Sequence, residues 1–243
     1  MACLMLRLDA PLMSFGGVLV DQHNPTDRFP GRSMLTGLLA NALGWHHRDT
    51  EALNALQARI QYAARWDVPP QPLRDYHTVD LGQEHLANPG WTTHGIPEHR
   101  EGGSAKKRTH QRNRHYWANG VMTVALVLEA GNPDVATLAT ALRHPARPLF
   151  IGRKACLPAG PLLLGLRETD NAYRALADEP RAPRAPSDAV RFEACWPPGA
   201  ADTTAIDSRA QQLRTDDRNW RGQAHVGLRP MVTGYLTEVP PCT

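Results

Sequence analysis

Between the alternating segment RIQYAARWD, which ends at residue 67, and the apolar run GVMTVALVLEA, which begins at residue 120, lies a stretch that cannot build a core of its own. It opens with VPPQP and holds six of the eleven histidines. It closes on KKRTHQRNRHYW, residues 106 to 117, where five Lys or Arg stand without one acidic side chain. A connection this long with no hydrophobic period is an inserted arm or a functional loop. The flanking fold must therefore tolerate an insertion between two of its strands.

The flanks are strongly patterned. In ACLMLRLDAP, Leu4, Leu6 and Leu8 fall on one face of a strand, and Cys3, Met5 and Arg7 on the other. SMLTGLLANALG predicts a helix with Ser33 as N-cap and Gly44 as terminator, and a short second helix runs from Thr50 to about Gln57. RIQYAARWD alternates as a strand whose second face is polar and basic. GVMTVALVLEA predicts a buried strand, and NPDVATLATALRH a helix with Asn132 capping and Pro133 at its first position. RPLFIGRKACLPAGPLLLGL gives short strand-like pieces, EPRAPRAPS an exposed linker, and AVRFEACW one more strand. The order strand, helix, strand, insertion, strand, helix, strand is the split βαβ arrangement. The expected fold is α+β: a ferredoxin-like, RRM-like body (1–70 and 118–196), a protruding β-hairpin thumb (71–117) and an irregular C-terminal extension (197–243). Such a sheet keeps one face open to solvent, and that face commonly binds RNA.

Composition narrows the function classes. Net charge is only +3, while residues 106 to 116 alone carry +5, so a local basic patch is what needs explaining. Only Lys106, Lys107 and Lys154 are lysines; the remaining cations are arginines, whose planar fork matches phosphate and stacks on bases. The cysteines, Cys3, Cys156, Cys195 and Cys242, form no C-x-x-C pair, which fits reduced thiols in a cytoplasmic protein. No apolar stretch approaches a membrane span or signal peptide. The P-loop, dinucleotide, nucleophile-elbow and zincin motifs are absent. His46, His47, His94 and His99 lack a third ligand at diagnostic spacing, so neither a metal nor a cofactor is expected.

Three basic elements are candidate contacts. The run at 106–117 reads as a solvated loop or as a grip on a polyanion. The absence of interleaved acids and the flat rings of Tyr116 and Trp117 favour the grip. In DRFPGRSMLTG, Arg28 and Arg32 flank the expected helix start, where free N–H groups and the Ser33 hydroxyl would form an anion site; an ordinary capped turn is the alternative. In FIGRKAC, Gly152 permits close backbone approach beside Arg153 and Lys154. Tyr76, His77, His110, His115 and Lys106 could supply the acid, base and cation of a metal-independent ribonuclease, or be polar loop residues.

Taken in order, LRLDAPLMSFG, PTDRFPGRSMLTGLLANALG, LRDYHTV and FIGRKACLPAGPLLLG resemble the fifth Cas protein family, the CasD subunits of type I-E CRISPR Cascade. The resemblance runs from about residue 3 to 170. It implies a noncatalytic subunit that holds the 5′ handle of the CRISPR RNA, with a thumb against the backbone subunit CasC and the large subunit CasA nearby. Carried over, Arg28, Arg32 and Ser33 would contact handle phosphates, and Gly152, Arg153 and Lys154 would line the same groove. The LRDYHTV stretch, with Arg74, Tyr76 and His77, would start the thumb, and Arg114 with Tyr116 would close it. Lys106, Lys107, Arg108 and Arg112 become arm contacts to target DNA or a neighbouring subunit on charge alone. A ribonuclease that processes repeat RNA and a mainly structural adaptor are the competing readings.

Overall fold

The computed structural model describes residues 1–17, 22–80, 90–91, 97–98, 109–201 and 210–242. The chain opens with β1 (Ala2–Asp9), the two-residue strands β2 (Leu12–Met13) and β3 (His23–Asn24), helices α1 (Arg32–Leu43) and α2 (Thr50–Arg59), and β4 (Ile60–Val68). The inserted stretch holds β5 (Gln71–Asp80), the short pair β6 (Gly90–Trp91) and β7 (Pro97–Glu98), and β8 (Thr109–Ala118). Then come β9 (Val121–Leu128), α3 (Val135–Arg143), β10 (Leu163–Glu168), α4 (Ala172–Asp178), β11 (Phe192–Trp196), β12 (Ala210–Arg214), β13 (Asp217–Asn219), β14 (Ala224–Val226) and β15 (Arg229–Leu236).

The body is a seven-stranded antiparallel sheet in the order β10-β1-β9-β4-β11-β15-β12. β1, β4, β9 and β10, linked through α1, α2 and α3, supply the strand and helix order expected from the sequence. One face is covered by α1 and α3, which bury Leu4, Leu6, Leu8, Tyr62, Trp66, Val124 and Leu126. Trp66 is 1% exposed, and removing a side chain of that size from water contributes about 2–3 kcal/mol.

The other face is not open, contrary to the expectation above. Cys3, Met5, Ala63, Ala125 and Val127 pack there against Tyr173 and Leu176 of α4 and against Phe192 and Trp196. Arg65, the basic residue of that face, is itself fully buried. Its Nε donates to Asp67 Oδ1 (2.6 Å), and its other nitrogens donate to the carbonyls of Leu176 and Glu179. Asp67 Oδ2 in turn accepts from Thr123 Oγ1 (2.6 Å) and from the Ala182 N–H (2.9 Å). A buried charge is tolerable when it is paired and hydrogen-bonded; here Asp67 supplies the opposite charge, and α4 and the segment after it supply two carbonyls and an N–H.

Several local expectations shift for the same reason. The segment EPRAPRAPS is packed rather than free: Ala182 is buried, and Arg184 pairs with Asp9 at 2.8 Å. Helix α3 begins two residues later than expected, at Val135, with Asp134 accepting from Thr137 N (2.8 Å), so Asn132 and Pro133 precede the cap. The described part of the C-terminal region contains sheet rather than only irregular chain, since β15 pairs with both β11 and β12. Within the insertion, β5 and β8 pair antiparallel from Gln71↔Ala118 to Asp80↔Thr109. β8 also pairs with β2 and β3 on its other edge. No helix among the described residues is long and apolar enough to cross a membrane.

Candidate nucleic-acid interface

One face of α1 borders a cleft of about 880 Å³. Ser33, Met34, Gly37, Leu38 and Asn41, spaced as helix neighbours, form its floor. Five cations line it: Arg114 from β8, Arg147, Arg153 and Lys154 from the loop before β10, and Arg218 from β13. His46, His47 and His225 join them, with Trp45 and Phe150 as half-buried rings and the buried Tyr116 and Trp220 behind them. None of its lining residues among those described is Asp or Glu. A low-dielectric cleft of one sign concentrates the field and attracts polyanions.

The 152–154 corner is built tightly. Gly152 has φ +90°, and a Cβ there would fall 1.5 Å from the Ser14 carbonyl oxygen, so only glycine fits. Arg153 is fixed by donating to the carbonyls of His115 (2.9 Å) and Asn24 (3.1 Å), and its guanidinium lies 4.7 Å from the centre of the Tyr116 ring. Lys154 is exposed beside it. Arg147 donates to the carbonyls of Trp45 (2.7 Å) and Gly44 (2.5 Å), which places a cation at the C-terminal end of α1.

The strand pair of the insertion divides the basic run between two faces. Residues directly opposite in register share a face, and neighbours along a strand do not. Arg112, Arg114 and Tyr116, opposite His77, Asp75 and Leu73, lie on the cleft side. Arg74 and Tyr76, opposite His115 and Asn113, lie on the other. His77 is engaged by Asp75 (2.5 Å). Lys106, Lys107 and Arg108 lie outside the described residues.

The expected anion site at the start of α1 is filled from within. The helix begins at Arg32, its N-cap is Gly31, and Ser33 makes no side-chain cap. The Arg32 N–H donates to Asp216 Oδ2 (3.1 Å) and the Ser33 N–H to the Asp216 carbonyl (2.9 Å). Arg28 is held by both oxygens of Glu193 and lies over Trp66 and Trp117, at 5.2 and 4.9 Å from the ring centres. Arg32 is held by both oxygens of Asp217. The cleft therefore gathers Ser33, Arg114, Tyr116, Gly152, Arg153 and Lys154 of the expected contacts, while Arg28 and Arg32 already have carboxylate partners.

A family model described as CRISPR-associated protein (Cas_Cas5) matches residues 3–232, nearly the whole chain. The chain belongs to that family. Among curated proteins, this Cas5-family chain is 33% identical over 182 residues to the CRISPR system Cascade subunit CasD of Escherichia coli (strain K12), covering 71% of this chain and 75% of that protein. A solved chain of a CRISPR RNA-guided surveillance complex superimposes with a TM-score of 0.66 at 25% identity, covering 98% of this chain and 91% of that one. A crystal structure of a Cas protein matches with a TM-score of 0.62 at 22% identity and covers 99% of this chain, a likeness of fold.

Sequence reasoning missed part of this Cas5-family cleft. Arg147 follows a short polar turn that carries no motif. Arg218, Trp220 and His225 fall in a region without visible period. His46 and His47 stood out only as possible metal ligands. Among the described residues no three His, Cys, Asp or Glu side chains are placed to hold a metal ion.

Proposed function

We propose that the chain is the Cascade subunit that holds the 5′ handle of the CRISPR RNA, and that the cleft over α1 is where it does so without cutting. The observation that carries this is five cations and four flat or apolar side chains around a cleft with no carboxylate among its described lining residues. Phosphates would meet the cations, and unstacked bases the half-buried rings of Trp45 and Phe150. In this reading β10-β1-β9-β4 with α1 and α3 is the ferredoxin-like body, the β5–β8 ribbon is the thumb that meets CasC, and CasA lies alongside. The complex would work in the cytoplasm.

The ribonuclease reading has less support. Tyr76 and His77 are successive strand residues on opposite faces, and His115 shares a face with Tyr76 but not with His77. The candidate set is thus split: Tyr76 and His115 share one face with Arg74, while His77 lies on the other and is engaged by Asp75. An adaptor would lack salt-dependent RNA affinity.

The test is binding of labelled, single-stranded CRISPR repeat RNA to the full chain in EDTA across a salt series. Arg153→Ala with Lys154→Ala should lower the slope of log K against log salt by up to about 1.4, at about 0.7 per single-strand phosphate contact, and the RNA should remain intact. An unchanged slope overturns the cleft assignment. A specific cut lost in Tyr76→Phe overturns the noncatalytic reading.

A further inference from the structure

The C-terminal hairpin β13–β14 is anchored beside the cleft by side-chain contacts with α1 and α2. Gln57 of α2 accepts at Oε1 from the Arg218 N–H (3.1 Å) and from Trp220 Nε1 (3.2 Å), and its own Nε2 donates to the Arg218 carbonyl (3.0 Å). Asn54 Oδ1 accepts from the Trp220 N–H (3.4 Å). Trp220 is 3% exposed, and it lies over Gly37, where an added Cβ would meet the indole at 3.7 Å. From α1, Arg32 grips Asp217, the residue just before Arg218, through both carboxylate oxygens.

This anchoring presents two side chains to the cleft. Arg218 stands with its guanidinium 5.4 Å from the centre of the Trp220 ring, and His225 is exposed on the paired strand. Gln223 occupies one Arg218 nitrogen (2.6 Å), while Arg218 Nε is buried without a protein partner. A guanidinium backed by an indole and incompletely bonded is suited to a phosphate oxygen or the face of a base.

We propose that β13–β14 is the second wall of the RNA cleft. Arg218 and His225 contact the RNA strand there, and Arg32–Asp217 is the positioning pair that holds them in place. Arg32 thus serves RNA binding through the hairpin rather than by touching phosphate. The proposal rests on the reading of the cleft given above, and it adds a contact surface from the C-terminal region.

The test uses the full chain, single-stranded CRISPR repeat RNA and the same salt series. Arg218→Ala should lower the slope by about 0.7, with Arg218→Gln, which keeps most of the side-chain bulk, giving the same loss. Arg32→Ala should lower it by the same amount, the double variant by no more than either alone, and Arg32→Lys, which can still pair with Asp217, should restore most of it. If Arg153→Ala with Lys154→Ala lowers the slope and both Arg218 variants leave it unchanged, the second wall is overturned while the cleft reading stands. If none of them lowers it, the cleft reading itself falls. Additive losses in the Arg32, Arg218 double variant would overturn the positioning role.

Discussion

Gly152 and Ser14 approach so closely that a methyl group at position 152 would fall 1.5 Å from the Ser14 carbonyl oxygen. The contact seats the Arg153 and Lys154 corner against the loop after β2, and Gly152 holds the left-handed φ that other residues adopt only under strain. Gly152→Ala should therefore cost at least about 2 kcal/mol of stability. It should also weaken RNA binding more than Lys154→Ala does, because both cations move together. Chemical denaturation beside RNA titration checks this; a variant as stable as the parent would mean that the corner is looser than described.

What could be read from the chain depended on whether the signal was local. β1, α1, β4, β9 and β11 carry strong periods, and Gly44 ends α1 in the left-handed conformation as its position implies. Gly152, Arg153 and Lys154 were visible as a cluster. The start of α1 was not, because its first free N–H group is satisfied by Asp216, 184 residues away from Arg32. Arg28 and Arg32 looked available because their carboxylate partners lie 165 and 185 residues downstream. β12, AQQLR, is an exposed polar edge strand, and Pro230 and Gly234 interrupt the alternation of β15. The buried second face of the sheet was hidden by Arg65: its carboxylate partner Asp67 is only two residues away, but the carbonyls that complete its bonding, from Leu176 and Glu179, are distant in sequence.

Asp216 joins the helix start to the C-terminal strands, so its removal should be severe. Besides Arg32 N–H, it holds Arg229 through Nε (3.0 Å) and a second nitrogen, and Arg229 also reaches the Tyr62 hydroxyl (3.3 Å). Asp216→Ala removes a cap and leaves a mostly buried guanidinium without its carboxylate, which should cost about 3–5 kcal/mol. Asp216→Asn, which keeps one acceptor oxygen, should lose less. Equal stability of the alanine variant and the parent in a urea melt would contradict the burial of this pair.

Alkaline pH should destabilise the fold in a defined window. Burial pushes the thiols of Cys3 and Cys195 up to about 12 from an ordinary value of 9.0, and burial also raises the Tyr62 hydroxyl. Between pH 9 and 12 the folded chain keeps protons that the unfolded chain releases. Stability is thus whole below about pH 9 and falls as pH rises, by up to about 1.4 kcal/mol per pH unit for each thiol. Melting temperatures at pH 8 and pH 10 test the sign. Cys3→Ala with Cys195→Ala should flatten the profile, even if its baseline stability is lower.

The two faces of the β5–β8 ribbon offer a matched pair of charge reversals. Arg114 lines the cleft from β8, whereas Arg74 lies on the opposite face of the ribbon, across from His115. Arg114→Glu places a carboxylate where none of the described lining residues has one, so RNA affinity should fall roughly tenfold and the salt slope by about 0.7 or more. Arg74→Glu makes the same change in net charge at the next position of the register, on the opposite face. It should alter binding of the isolated chain little, because no wall of the cleft includes it. Equal losses for the two would show that net charge, rather than the geometry of the cleft, governs the interaction.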